Sequence, residues 1–385
     1  MSRSPVLGTV RTLILAAGLA AIPAAYAQEA AQPAVAAVAA AKDTPTIQLA
    51  ILLDTSGSMS GLIDQAKTQI WSIVNQMTRA RIDGVRPQLR VALYEYGKDT
   101  LSASEQFVRQ ILPLTDDLDE VSAQLFKLTT NGGEEYCGAV IKSATEGLAW
   151  SGSPKDLRII VIAGNEPFTQ GGVDYKSSVQ AAVKKGLIVN TIFCGDEQEG
   201  IRTDWKSGAA LGEGTYSFIN QNAAAIHIDA PQDKELAELS SKLNTTYLEY
   251  GGRGAELKQR QERQDLNAAT ASPAVAAQRA ASKASGAYRN TAWDLVDALK
   301  EKSVKLEDLK DEELPEPMRG KTIEEKKAMV EQATKERAEV QSKIVKLQSD
   351  RDEFVRTKLA QNGDDKSLGA ALLAALRSQA ESRGY

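Results

Sequence analysis

Asp54-Thr55-Ser56-Gly57-Ser58 places one carboxylate and two hydroxyls within a single turn of chain. Short oxygen-bearing side chains at this spacing suit a hard divalent cation such as Mg²⁺, which takes a compact octahedron of oxygens and keeps several of its waters. The same residue types make good helix N-caps, so a structural role stays open. Glu134 and Glu135 lie in the loop Asn131-Gly132-Gly133-Glu134-Glu135-Tyr136-Cys137-Gly138. Catalytic chemistry finds little else to use. His227 is the only histidine, stands between Ile226 and Ile228, and has no nucleophile paired with it. Gly57-Ser58-Met59-Ser60-Gly61 has methionine where a nucleophile elbow needs serine. No phosphate-binding glycine loop of either common type occurs. The two cysteines, Cys137 and Cys194, lack metal or redox spacing. In an oxidising compartment such a pair either forms a disulfide or stays as two buried thiols.

The elements that must hold these residues read as alternating strands and helices. Residues 47–53 form an apolar run of strand length that ends at Asp54. Apolar positions three and four apart then predict a helix from Leu62 through Ile70, Ile73 and Met77. Further strands are predicted at 91–96, 108–112, 157–162, 187–193 and 215–219, and helices at 118–128, 139–150, 177–185 and 234–247. The alternation predicts an α/β fold, a doubly wound and mainly parallel sheet covered on both faces. Such sheets bind ligands beyond the carboxyl ends of their strands, where strand order reverses. Asp54 stands at such an end.

Beyond Gly254 the strands stop and an α-helical carboxyl-terminal region is predicted, with helical patterns at 276–300 and 322–361. In the second, Ala333, Val340, Leu347 and Phe354 recur every seven residues with Val330 and Ile344 beside them, but Arg337 and Arg351 interrupt the seam. Pro315-Glu316-Pro317 and Gly320 supply a break between helices. A hairpin folded back on itself or on the domain is expected, with a self-associating coiled coil as the alternative. At the other end, Arg3, Arg11, the apolar run around Leu13, Ile14, Leu15, Leu19 and Ile22, and Ala25-Tyr26-Ala27 predict a signal peptide cleaved before Gln28. The organisation read from the sequence is therefore signal peptide 1–27, flexible linker 28–42, α/β domain 43–252 and helical region 254–385. The mature protein is expected to be periplasmic or secreted, with no integral membrane segment after cleavage. A net charge of −5 with interspersed signs argues against nucleic acid as a partner.

The D-x-S-x-S pattern at Asp54, Ser56 and Ser58, after the first strand of an α/β sheet, resembles the first motif of the von Willebrand factor A family. The resemblance covers about residues 43–252. It implies that the two serines bind a divalent cation while the aspartate orients coordinating water. Two further family motifs depart from the pattern. Glu134 and Glu135 stand where a threonine is expected, and Gly164 takes the place of an aspartate in Ala163-Gly164-Asn165-Glu166-Pro167. The chain looks like a secreted bacterial variant with a degenerate metal-ion-dependent adhesion site. One reading keeps Mg²⁺, Mn²⁺ or Ca²⁺ with Glu134 or Glu135 as replacement ligand; the other leaves the serines as caps. The family's sheet order puts Cys137 and Cys194 at the same edge, which implies a disulfide. The function implied is non-enzymatic binding of a protein partner. The alternatives are an oligomerising envelope protein acting through its helical tail, and a metal-assisted hydrolase.

Overall fold

The computed structural model describes residues 44–77, 79, 81, 84–220, 228–362 and 367–382. The signal peptide and linker expected at 1–42, and His227, lie outside these residues.

The first half alternates as its periodicity predicts. In order come β1 (Thr46–Asp54), α1 (Ser60–Met77), β2 (Gln88–Tyr96), β3 (Val108–Thr115), α2 (Leu118–Lys127), α3 (Cys137–Gly147), β4 (Leu157–Gly164) and α4 (Tyr175–Lys184). They are followed by β5 (Ile188–Cys194), α5 (Glu197–Arg202), α6 (Trp205–Leu211), β6 (Glu213–Ile219) and α7 (Asp233–Asn244). The helices α8 (Gly254–Ala271), α9 (Pro273–Ala284), α10 (Leu295–Lys300), α11 (Ile323–Asn362) and α12 (Leu368–Ser382) complete the chain.

The six strands form one sheet in the order β3-β2-β1-β4-β5-β6. All neighbours pair in parallel except β2 with β3, which are antiparallel. β1 therefore sits between β2 and β4, and the order reverses there, opening a crevice at the carboxyl ends of β1 and β4. Side chains alternate across the sheet. Ile47, Leu49, Ile51 and Leu53 of β1 enter one core, while Ala50 and Leu52 enter the other. The first core lies under α1, α2 and the carboxyl-terminal helices; the second lies under α3, α4 and Trp205 of α6.

Residues 40–385 make one compact unit. Ala280 of α9, Val340 and Ile344 of α11, and Leu368, Leu372 and Leu376 of α12 share the first core with the strands. The heptad seam of α11 is consumed inside the chain rather than forming a self-contained coiled coil. Ala333, Val340 and Ile344 are buried, and α11 packs on α7 and α9. The two arginines that interrupt the seam are buried ion-pair partners. Arg337 Nη1 donates to Asp294 Oδ2 at 2.6 Å and its Nη2 to Thr246 O at 2.6 Å. Arg351 Nε donates to Asp233 Oδ1 at 2.5 Å and its Nη2 to Ile228 O at 3.0 Å. Arginine suits this task because its rigid fork satisfies carboxylate and carbonyl acceptors together.

Candidate functional site

β1 delivers Asp54 to the crevice, and the chain then turns through Ser56 and Ser58 before α1 begins at Ser60. Backbone bonds fix the turn. Thr55 N donates to Tyr96 O at 2.9 Å, and Asn131 N donates to Thr55 O at 3.1 Å. The acidic loop is thereby tied to the first motif. Ser56 N donates to Asp54 Oδ1 at 2.7 Å, while Asp54 Oδ2 is buried with no hydrogen-bond partner. Ser56 Oγ and Ser58 Oγ are 3.3 Å apart, and Asn165 Nδ2 donates to Ser58 Oγ at 3.2 Å. Ser56 stands at the N-cap position of the short helical turn 57–59, yet its side chain makes no capping bond.

Glu135 and Glu134 part company. Glu135 is buried at 7% exposure. A β-carbon placed on Gly97 would meet Glu135 Cγ at 2.7 Å and Asp54 Oδ1 at 3.0 Å, so the two carboxylates flank the same small space. Glu134 points outward, accepting from Tyr136 OH at 3.5 Å and Gln170 Nε2 at 3.4 Å. Glu166 joins the group from the loop after β4. Burial raises the Asp54 carboxyl to about 7 against the Ser56 bonds, with Glu135 and Glu166 adding to the rise. Burial likewise raises Glu135 to about 7, with Glu166 the leading neighbour. Clustered carboxylates with no cation beside them resist ionising. Glu166 is the member that motif reading passed over, because it stands two residues beyond the position the resemblance pointed to. Its acidity directly after the strand-end glycine was the available signal.

Gly164, which replaces an aspartate, leaves a space that Tyr96 occupies. A β-carbon there would collide with Tyr96 OH and come within 3.1 Å of Asp54 Oδ2. Tyr96 OH donates to Ala163 O at 3.0 Å, and the side chain is fully buried.

The expected disulfide is not formed. Cys137 and Cys194 are both free, buried thiols. The reason is the alternation of β5. Cys194 follows Ile188 and Ile192 into the α1 face, while Cys137, at the start of α3, packs with Tyr96 and Phe193 on the opposite face. Both belong to the same sheet edge, but the sheet lies between them. Burial pushes both thiols well above the usual range.

Among the described residues no group of three or more His, Cys, Asp or Glu side chains is arranged to hold a metal ion. A cation here would need hydroxyl as well as carboxylate donors. That set is what the crevice offers: the orphaned Asp54 Oδ2, the Ser56–Ser58 hydroxyl pair and the adjacent Glu135 fit a hard cation.

Residues 48–230 match the family model described as von Willebrand factor type A domain. This segment is similar to von Willebrand factor type A domains. The match runs from within β1 through β6, includes the serine turn and the acidic loop, and stops before α7. The comparison with curated proteins found no match. Solved structures resembling the chain include an aerotolerance-related membrane protein from Bacteroides fragilis, with 18% identity, 46% of this chain and 93% of that chain covered, and a TM-score of 0.32. They also include the conserved hypothetical protein BatB from Bacteroides thetaiotaomicron, with 15% identity, 57% and 98% covered, and a TM-score of 0.34. The SpRpn10 VWA domain matches with 16% identity, 45% and 88% covered, and a TM-score of 0.34. No helix among the described residues is long and apolar enough to cross a membrane.

Proposed function

We propose that this chain is an exported, non-enzymatic protein-binding module whose vWA domain holds a divalent cation at an altered site and binds a protein partner at the same edge. The observation that carries this reading is Asp54 Oδ2, a buried carboxylate oxygen without a hydrogen-bond partner, next to the paired hydroxyls of Ser56, which makes no capping bond, and Ser58. A buried polar atom left unpaired is costly, and a cation would satisfy it. Asp54, Ser56 and Ser58 would hold the ion, and Glu135 would supply the charge that Gly164 cannot. When bound, the cation would neutralise part of the carboxylate charge at the domain's ligand edge. The chain's own residues position it and exclude water on the Tyr96 side. A binding role is preferred to hydrolysis because the edge carries neither an activated nucleophile nor a described base partnered with one.

Calorimetry with Mg²⁺, Mn²⁺ and Ca²⁺ tests the reading. Binding heat is expected in the native protein, with affinity lowered at least about tenfold in Asp54→Asn and in Glu135→Gln and little changed in Glu134→Gln. No heat and no thermal stabilisation at millimolar metal would overturn it.

A further inference from the structure

We infer that the carboxyl edge of the sheet is built to receive a protein segment bearing lysine or arginine, not one bearing a carboxylate. This rests on the reading of that edge as the partner-binding surface. Five carboxylates gather there: Asp54 at the end of β1, Asp99 after β2, Glu134 and Glu135 before α3, and Glu166 after β4. Glu135 and Glu166 act on Asp54, Glu134 and Glu166 act on Glu135, and Asp99 Oδ2 abuts Gly132 of the same loop. The loops are locked together, with Asp99 N donating to Gly132 O.

None of the five makes an ion pair with a described Lys or Arg. The nearby cations are committed elsewhere. Lys98 and Arg109 both serve the fully buried Glu95, Lys98 Nζ at 3.9 Å and Arg109 in direct contact. The deepest carboxylate, Asp54, is fully buried and keeps an oxygen with no partner, so the group lacks positive charge from within the fold. A single divalent cation would neutralise two charges and leave the edge acidic. A partner's Asp or Glu would meet Glu134, Glu166 and Asp99 at close range, where like charges repel strongly. A basic side chain would be drawn in by the same field.

Protein, not a small polyamine, fits the flank of the site. Half-buried Phe107 and Tyr136 stand edge to face with centroids 5.7 Å apart, and Glu134 accepts from the Tyr136 hydroxyl. An aromatic face beside carboxylates is a favourable station for a guanidinium carried on a peptide backbone.

The test uses the full mature chain and labelled peptides of alternating Arg and Gly or alternating Glu and Gly, read by fluorescence anisotropy across a salt series. The Arg peptide is expected to bind, with affinity falling as salt rises, and spermidine to compete poorly. Asp99→Asn/Glu134→Gln/Glu166→Gln should weaken binding about tenfold or more. The distant exposed triple Glu316→Gln/Glu324→Gln/Glu339→Gln should leave binding unchanged, which separates this edge from the chain's general acidity. Equal loss in both triples, undiminished binding in the first, preference for the Glu peptide, or spermidine competing as well as peptide would each overturn the inference. Metal calorimetry on the same proteins keeps the two readings apart. A native metal isotherm with no preference for the Arg peptide sinks this inference alone.

Discussion

Tyr96 and Gly164 are fitted to each other. The tyrosine hydroxyl lies in the volume a side chain at 164 would need, and it donates to the carbonyl of the preceding residue. Gly164→Ala is therefore expected to destabilise the fold by about 1–3 kcal/mol, the usual range for overpacking a filled core. Combining it with Tyr96→Phe should cost less than the two single changes added, since removing the hydroxyl relieves the collision. Urea denaturation of the four proteins checks this, and strict additivity would count against the proposed contact. The two cysteines give a second residue-scale expectation: both thiols label stoichiometrically once the protein is denatured without reductant. The strand-end position of Asp54, and with it the turn through Ser56 and Ser58, was legible because the apolar run before it carries the signal. The cysteines were not, because proximity along a sheet edge says nothing about which face a side chain takes. That is decided by the two-residue alternation of β5. Gly164 read as a lost ligand; only the coordinates reveal that Tyr96 claims the vacated volume.

Among the elements, α11 was legible in length and illegible in purpose. Its seven-residue seam is real, yet Arg337 and Arg351 read as defects in it. Both point inward because α7 and the segment before α10 offer Asp233, Asp294 and free carbonyls at matching heights. Arg337 also lies 4.2 Å from the Tyr247 ring centroid, so its planar group is satisfied on edge and face. Arg337→Ala would leave the fully buried Asp294 without its cation and should cost about 3–5 kcal/mol. Arg337→Lys should recover part of that loss, because one charge is retained while the fork is not. Chemical denaturation of both variants, read by tryptophan fluorescence, distinguishes an ionic lock from a surface pair worth little. The mainly parallel sheet followed from the alternating pattern, whereas its strand order and the antiparallel placement of β3 left no mark in composition.

The whole molecule is held by charges sealed between the sheet domain and its helical region. Arg279 is buried against Asp119 of α2 at 2.6 Å and Asp265 of α8 at 2.8 Å, and Lys283 reaches the same Asp265 at 2.6 Å. Burial works against ionising Asp265, but Lys283 and Arg279 prevail and hold its carboxyl down to about 2, below its ordinary 3.8. A carboxyl lowered by folding adds stability that is full above its unfolded value and disappears as pH falls through the folded one. The stability gap between the native protein and Asp265→Asn should therefore be constant above about pH 5 and close between about 4 and 2. Thermal melts across that range measure it, and a gap that persists at pH 2 would contradict the ion-pair account. The same architecture has a temporal side. Leu368 N in α12 donates to Gln65 Oε1 in α1 at 2.8 Å, across 303 positions of sequence. A ribosome that has finished the entire sheet still lacks the helix that roofs its α1 face. Until α12 emerges, the nascent chain lacks the apolar cover that Leu368, Leu372 and Leu376 add beside α1, so that part of the core closes late.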